Sequence, residues 1–194
     1  RPNIWHVQAK GELFDKGYTH KIWFYNDVKQ PTYGLYLNSD KEIFKDINLR
    51  YAFAHAINFE KLNKQVLRGD YRRLHNYYTG FGEWTNKNIK AREFDIKKVE
   101  SFMKKSGWKR GADGIWAKNG QRYSVTITYG YPHVTPRLVV LKEEAKKAGI
   151  EFNLELLDLS ASYKKGTEKK HEISFTAHSD PNLRPTPWQS FHSD

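Results

Sequence analysis

Between Asp46 and Gly69, in DINLRYAFAHAINFEKLNKQVLRG, apolar residues return at helical spacing: Leu49, Ala52, Phe53, Ala56 and Ile57 make one stripe. The spacing predicts a short buried helix. Asn58 then offers a side-chain oxygen as an N-cap, Glu60 suits the positive first turn, and Phe59, Leu62 and Val66 form a second stripe that stops before Gly69. Two helices are therefore expected with almost no loop between them.

Upstream, Ile4, Trp5 and Val7 read as extended, Gly11 and Gly17 as breakers, and Ile22 to Tyr25 as a strand. Beyond Pro31, Tyr33 to Asn38 reads as a strand buried on both faces. After Gly69, DYRRLHNYYTGFGEWTNKN has no helical period and is rich in aromatic and imidazole side chains, which predicts a long ordered loop. Asp95 opens a helix with Ile96, Val99, Phe102 and Met103 inward, closed by Gly107 and Trp108. Asp113-Gly114 marks a turn and Asn119-Gly120 a hairpin, followed by a strand alternating Tyr123, Val125, Ile127 and Tyr129. Thr135 and Pro136 read as N-cap and first residue of a helix that carries Leu138, Leu141, Ala145 and Ala148 and ends at Gly149. Ile150, Phe152, Leu154 and Leu156 alternate with polar neighbours as a strand with one wet face. Asp158 or Ser160 opens a short helix through Tyr163, and Ile173, Phe175 and Ala177 mark a last strand. The tail SDPNLRPTPWQSFHSD, with three prolines, is expected to be irregular.

Composition narrows the functions open to such a chain. A formal charge of +11 makes an anionic partner worth weighing, but the lysine pairs are scattered among Glu and Asp, as on solvated faces. With no cysteine there is neither a disulfide framework nor a thiolate metal site, and the eight histidines include no pair at helical ligand spacing. No nucleophile-elbow or phosphate-loop pattern is present, so no catalytic residue, metal or cofactor is expected. Asp158, Asp180 and Glu83 leave a carboxylate-dependent hydrolase open in principle. Six Trp, twelve Tyr and eleven Phe exceed what a minimal core needs, which fits a surface that binds something. A basic nucleic-acid-binding domain is the rival reading, and it would gather its cations and aromatics on one sheet face.

The run YGLYLN, then Phe44 and Asp46, then LRYAFAHAINFEKLNKQVLRGDY, resembles the second lobe of family 5 extracytoplasmic solute-binding proteins, the peptide-binding components of ABC importers. Asn38, Arg50, Ala52, Ala56, Asn58 and Gly69 stand at the matching positions, with Asn58 where the family more often has Asp. A second block, from the Asp95 helix through S-G-W and D-G-I-W to the hairpin, follows in the family's order. The resemblance implies an α/β lobe of the type II periplasmic-binding-protein kind, a mixed β-sheet with helices on its faces. It also implies that 1–194 is one lobe of two, cut short at both ends. The implied setting is the bacterial periplasm, and the implied partners are a peptide or peptide-like solute, a membrane permease and the first lobe of the same protein, with no nucleic acid. A peptide binder needs a carboxylate for the ligand's ammonium, cations for its carboxylate and aromatic walls. Arg73, Tyr77 and Trp84 from the loop, and Asp180, Arg184 and Trp188 from the tail, are the candidates. Asp180-Pro181 resembles the acidic-Pro step that receives a peptide's amino terminus in many family members.

Overall fold

The computed structural model describes residues 4–24 and 32–178, so Tyr25, Asp180, Arg184 and Trp188 lie outside the described residues. A π-helical turn (Ile4–Gln8) and helix α1 (Glu12–Asp15) precede strand β1 (Thr32–Leu37). Helices α2 (Glu42–Lys45), α3 (Ile47–Ala56) and α4 (Phe59–Gln65) follow, then the long loop and helix α5 (Ile96–Lys105). Strands β2 (Lys109–Arg110), β3 (Trp116–Lys118) and β4 (Gln121–Arg122) form a small antiparallel sheet. Strand β5 (Ser124–Tyr129), helix α6 (Thr135–Lys147), strand β6 (Glu151–Leu156), helix α7 (Leu159–Thr167) and strand β7 (Ile173–His178) complete the described elements.

The main sheet has the order β1-β7-β5-β6, with β5 parallel to both neighbours and β1 antiparallel to β7. One face is apolar. Val125, Ile127 and Tyr129 point into a core shared with Phe53, Leu138, Leu141 and Phe152. Phe53 is 2% exposed and its ring lies 5.4 Å from that of Phe152, so the α3 stripe packs on the sheet as its spacing predicts. The opposite face is polar: Thr128 Oγ1 donates to Glu155 at 2.5 Å, and Lys165 of α7 donates to the same carboxylate at 2.6 Å. Lower on this face the β5–β7 ladder is replaced by the Glu172 carboxylate, which accepts from the Thr126 N–H at 2.6 Å.

Local chemistry fixes the helix starts. Asp46, Asn58, Asp95 and Asp158 each accept from a backbone N–H in the first turn of the helix they open. The Asp95 N–H donates to the His55 carbonyl at 3.0 Å, tying the start of α5 to the end of α3. His55 is buried and satisfied, its Nδ1 2.8 Å from the Glu93 carbonyl. Asn119 and Gly120 take φ of 50° and 77°, the left-handed pair a tight hairpin requires. Gly149 has φ of 84°, and a Cβ there would meet the Trp116 ring at 2.7 Å and the Gly114 carbonyl at 2.8 Å. The indole Nε1–H of Trp116 donates to the Ala148 carbonyl at 2.8 Å, so the small sheet is pinned to the end of α6.

Several expectations change. Ile4, Trp5 and Val7 fall in the π-helical turn instead of an extended run, and Ile22, Trp23 and Phe24 are exposed outside any strand. β1 is an edge strand and half-buried, because nothing pairs with its outer side among the described residues. The α6 cap shifts by one: Val134 is the N-cap, Thr135 the first helical residue and Pro136 the second, since a 3₁₀ turn over Pro132–Val134 leads straight into the helix. α7 runs past Tyr163 to Thr167, and Leu156 is 44% exposed where the strand leaves the core.

Candidate functional site

In an open α/β sheet the ligand crevice forms outside the carboxyl ends of parallel strands, where successive connections leave in opposite directions. Here β5 connects through α6 to β6 on one side, and β6 connects through α7 back across to β7 on the other. The neighbouring strands β5 and β6 thus send their connections opposite ways, and the switch point lies beyond their carboxyl ends, on the edge that β7, parallel to β5, also reaches. Gly130 follows β5, and a Cβ there would stand 3.0 Å from the Leu159 Cα, so glycine lets the start of α7 close over the strand end. Tyr131 comes next, 41% exposed, with its ring 5.5 Å from that of His133. Sequence reasoning passed over both; the available signal was a Gly-Tyr-Pro-His run directly after a buried strand.

At the end of β7, His178 pairs with Thr32, the first residue of β1. The Tyr36 side chain lies back along β1 over Gly34, where a Cβ would meet its ring at 3.4 Å, and its hydroxyl donates to the Thr32 carbonyl at 3.0 Å. That path brings the Tyr36 ring to 4.5 Å from His178 in an edge-on contact. Burial pushes the Tyr36 phenol up to about 12, and the neighbouring Tyr77 phenol adds to the shift. Tyr77 thus reaches this edge, and the Thr32 hydroxyl donates to its carbonyl at 3.4 Å.

The loop that delivers Tyr77 is held by its own polar groups. Thr85 Oγ1 donates to the Tyr78 carbonyl at 2.6 Å and accepts from the Phe81 N–H at 3.0 Å, while Thr79 and Asn76 bond each other. Tyr78 stands edge-on to Tyr77 and to Phe81, with centroids 5.0 and 5.3 Å apart. Phe81 is buried, whereas Trp84, on the 3₁₀ turn Gly82–Trp84, is 52% exposed.

Arg73 lies elsewhere. Its guanidinium sits 5.8 Å over the ring of Phe59, at the first turn of α4, and its neighbours are Glu60, Asn63 and Glu93. Asn58 beside Phe59 donates to Glu144 near the end of α6, while Tyr71 in the same pocket lies under Arg137 in the first turn of α6, so the pocket lies alongside that helix. Of the loop candidates, Tyr77 joins the strand-end cluster and Arg73 does not.

Among the described residues no three His, Cys, Asp or Glu side chains gather as a metal shell, and no helix is long and apolar enough to cross a membrane. The cations are dispersed: Lys61, Lys98, Arg122 and Lys165 are each paired with a carboxylate, on α4, α5, β4 and α7 respectively. That dispersal gives the nucleic-acid reading no support.

The chain is 30% identical over 129 residues to the oligopeptide-binding protein AppA of Bacillus subtilis, covering 64% of this chain and 24% of AppA. The solved structure of AppA in complex with a nonapeptide superposes with a TM-score of 0.72 at 28% identity, over 83% of this chain and 33% of that one. NikA of Brucella suis, in complex with Fe(III)-EDTA, shares the fold with a TM-score of 0.70 at 22% identity, over 76% of this chain and 30% of that one. The chain therefore spans about a quarter of the curated relative and a third or less of these structural neighbours. Residues 6–192 match the family of bacterial extracellular solute-binding proteins, family 5 Middle, and the chain belongs to that family.

Proposed function

We propose that this chain is one wall of a peptide-binding cleft, in a solute-binding protein that delivers peptides to an ABC permease from the outer side of the bacterial membrane. The observation that carries the reading is the shared edge: β5 and β7 end there, β1 begins there, and Tyr77 is brought to it from the loop. Aromatic rings and main-chain groups suit an extended peptide, whose backbone needs hydrogen bonds and whose side chains need roomy, weakly selective surfaces. Likeness to AppA, whose structure holds a nonapeptide, supports peptide over other solutes. Trp84 and the tail residues Asp180, Arg184 and Trp188 belong to the same proposal: Asp180 for the ligand's ammonium, Arg184 for its carboxylate and Trp188 for an aromatic wall. The second wall is the first lobe, and the periplasm or its equivalent is the setting.

Alanine substitution of Tyr77, Tyr131 or Trp84 in the intact two-lobed protein tests the assignment by calorimetric titration with a nonapeptide mixture. Each substitution is expected to weaken binding by ~1–3 kcal/mol, as for an aromatic anchor, with little change in melting temperature. Lower stability with unchanged affinity would make these residues packing groups and place the cleft elsewhere.

A further inference from the structure

Helix α4 has two working faces. Asn58, Lys61 and Leu62 turn to α6 and the core, while Phe59, Glu60 and Asn63 turn away and line a cavity of about 370 Å³ under the two ends of the long loop. The Ala91 N–H donates to the His75 ring at 3.3 Å, which joins those two loop ends into one wall. Among the described residues, three polar groups in this cavity make no contact ion pair or side-chain hydrogen bond of their own, although Glu60 acts on Arg73 as a nearby opposite charge. The half-buried Arg73 guanidinium lies over Phe59 and makes no ion pair among the described residues. Glu60 makes none either, and the Glu93 carboxylate on the far wall is engaged by Lys98 at 2.7 Å. The Oδ1 of Asn63 is buried without a hydrogen bond.

An orphaned buried acceptor, and a partly desolvated guanidinium whose neighbouring Glu60 carboxylate stands beyond contact distance, each cost stability unless something fills the site. Their complement is a molecule carrying a carboxylate for Arg73 and, beside it, N–H donors for Asn63 Oδ1 and Glu60. The rings of Phe59 and Phe94 leave an apolar floor for its remainder. We propose that this pocket, separate from the strand-end cleft, binds a free α-amino acid with an apolar side chain through both its carboxylate and its ammonium group. A peptide terminus offers one of these charges, whereas a free amino acid offers both, an atom apart.

The test is a titration of the chain with L-leucine, followed by ¹H–¹⁵N NMR at the Arg73 Nε–H and the Asn63 side-chain amide. Saturable shifts are expected at both. Leucinamide, lacking the carboxylate, and 4-methylpentanoate, lacking the ammonium, should each bind at least ~tenfold more weakly, as loss of a charge-assisted hydrogen bond implies. Arg73→Gln should weaken leucine to the same degree. Glu60→Gln, at an exposed position that leaves the fold intact, should bring leucine down to the level of 4-methylpentanoate. Shifts that do not saturate, an equal response to leucinamide or to 4-methylpentanoate, or unchanged binding in both variants would overturn the assignment. Peptide capture at the strand ends is read by separate residues, Tyr77, Tyr131 and Trp84, so either proposal can fail alone.

Discussion

Glu144 is 4% exposed on the inner face of α6, and its carboxylate accepts from Asn58 at 2.8 Å, from Lys61 at 2.6 Å and from Lys147 one turn on. Burial alone would raise its pKa, but the hydrogen bonds from Lys147, Lys61 and Asn58 outweigh it and hold the carboxyl at about 2. A carboxylate depressed in the folded state adds stability that is fully present above its unfolded value near 4.5 and is lost as pH falls through about 2. Glu144→Gln should therefore lower stability at pH 7 by ~2–3 kcal/mol, and the gap to the parent should close as pH drops from about 4.5 toward 2. Urea unfolding of both proteins across that range measures it; a gap that does not change with pH would mean the carboxylate is not the source. Asn58 was legible as a cap because a cap is local chemistry between neighbours. Its second bond, to a glutamate 86 residues away, was not, since nothing near Asn58 in sequence encodes the return of α6.

Helices and inner strands could be read from the chain because each carries its own period, and the stripe of Leu49, Ala52, Phe53 and Ala56 is buried as spaced. β1 was misjudged as doubly buried because an apolar run does not say whether a strand lies at the centre or the edge of its sheet. The long loop was legible as ordered and aromatic, but not which of its rings face inward: Phe81 is buried and Trp84 exposed because the Thr85 hydroxyl ties Tyr78 to Phe81 and sets the turn between them. Removing that hydroxyl with a side chain of the same shape isolates its role. Thr85→Val loses two hydrogen bonds, worth ~1–3 kcal/mol together, from a segment that opens without unfolding the sheet. Hydrogen exchange at the Phe81 amide should speed up by ~10- to 100-fold while the Val125 amide, in the central strand, keeps its protection. Equal acceleration at both amides would mean the loop is part of the global folding unit.

At the scale of the whole molecule, the strand-end cluster is an open edge. β1 begins at it with Thr32 and β7 ends at it with His178. In the two-lobed reading, closure of the lobes on each other brings a second wall onto the peptide. Affinity then depends on ligand surface buried from both sides, while the cost of holding the peptide still is nearly the same with one wall or two. A single wall should therefore fall far short of half the binding free energy. Titrated with the same nonapeptide mixture, the 194-residue chain should bind at least ~hundredfold more weakly than a polypeptide carrying both lobes. The amino-acid pocket behind α4, which needs no second lobe, should respond identically in the two. Equal peptide affinity would mean that this chain already encloses a complete site, and the strand-end edge would no longer be one wall of two.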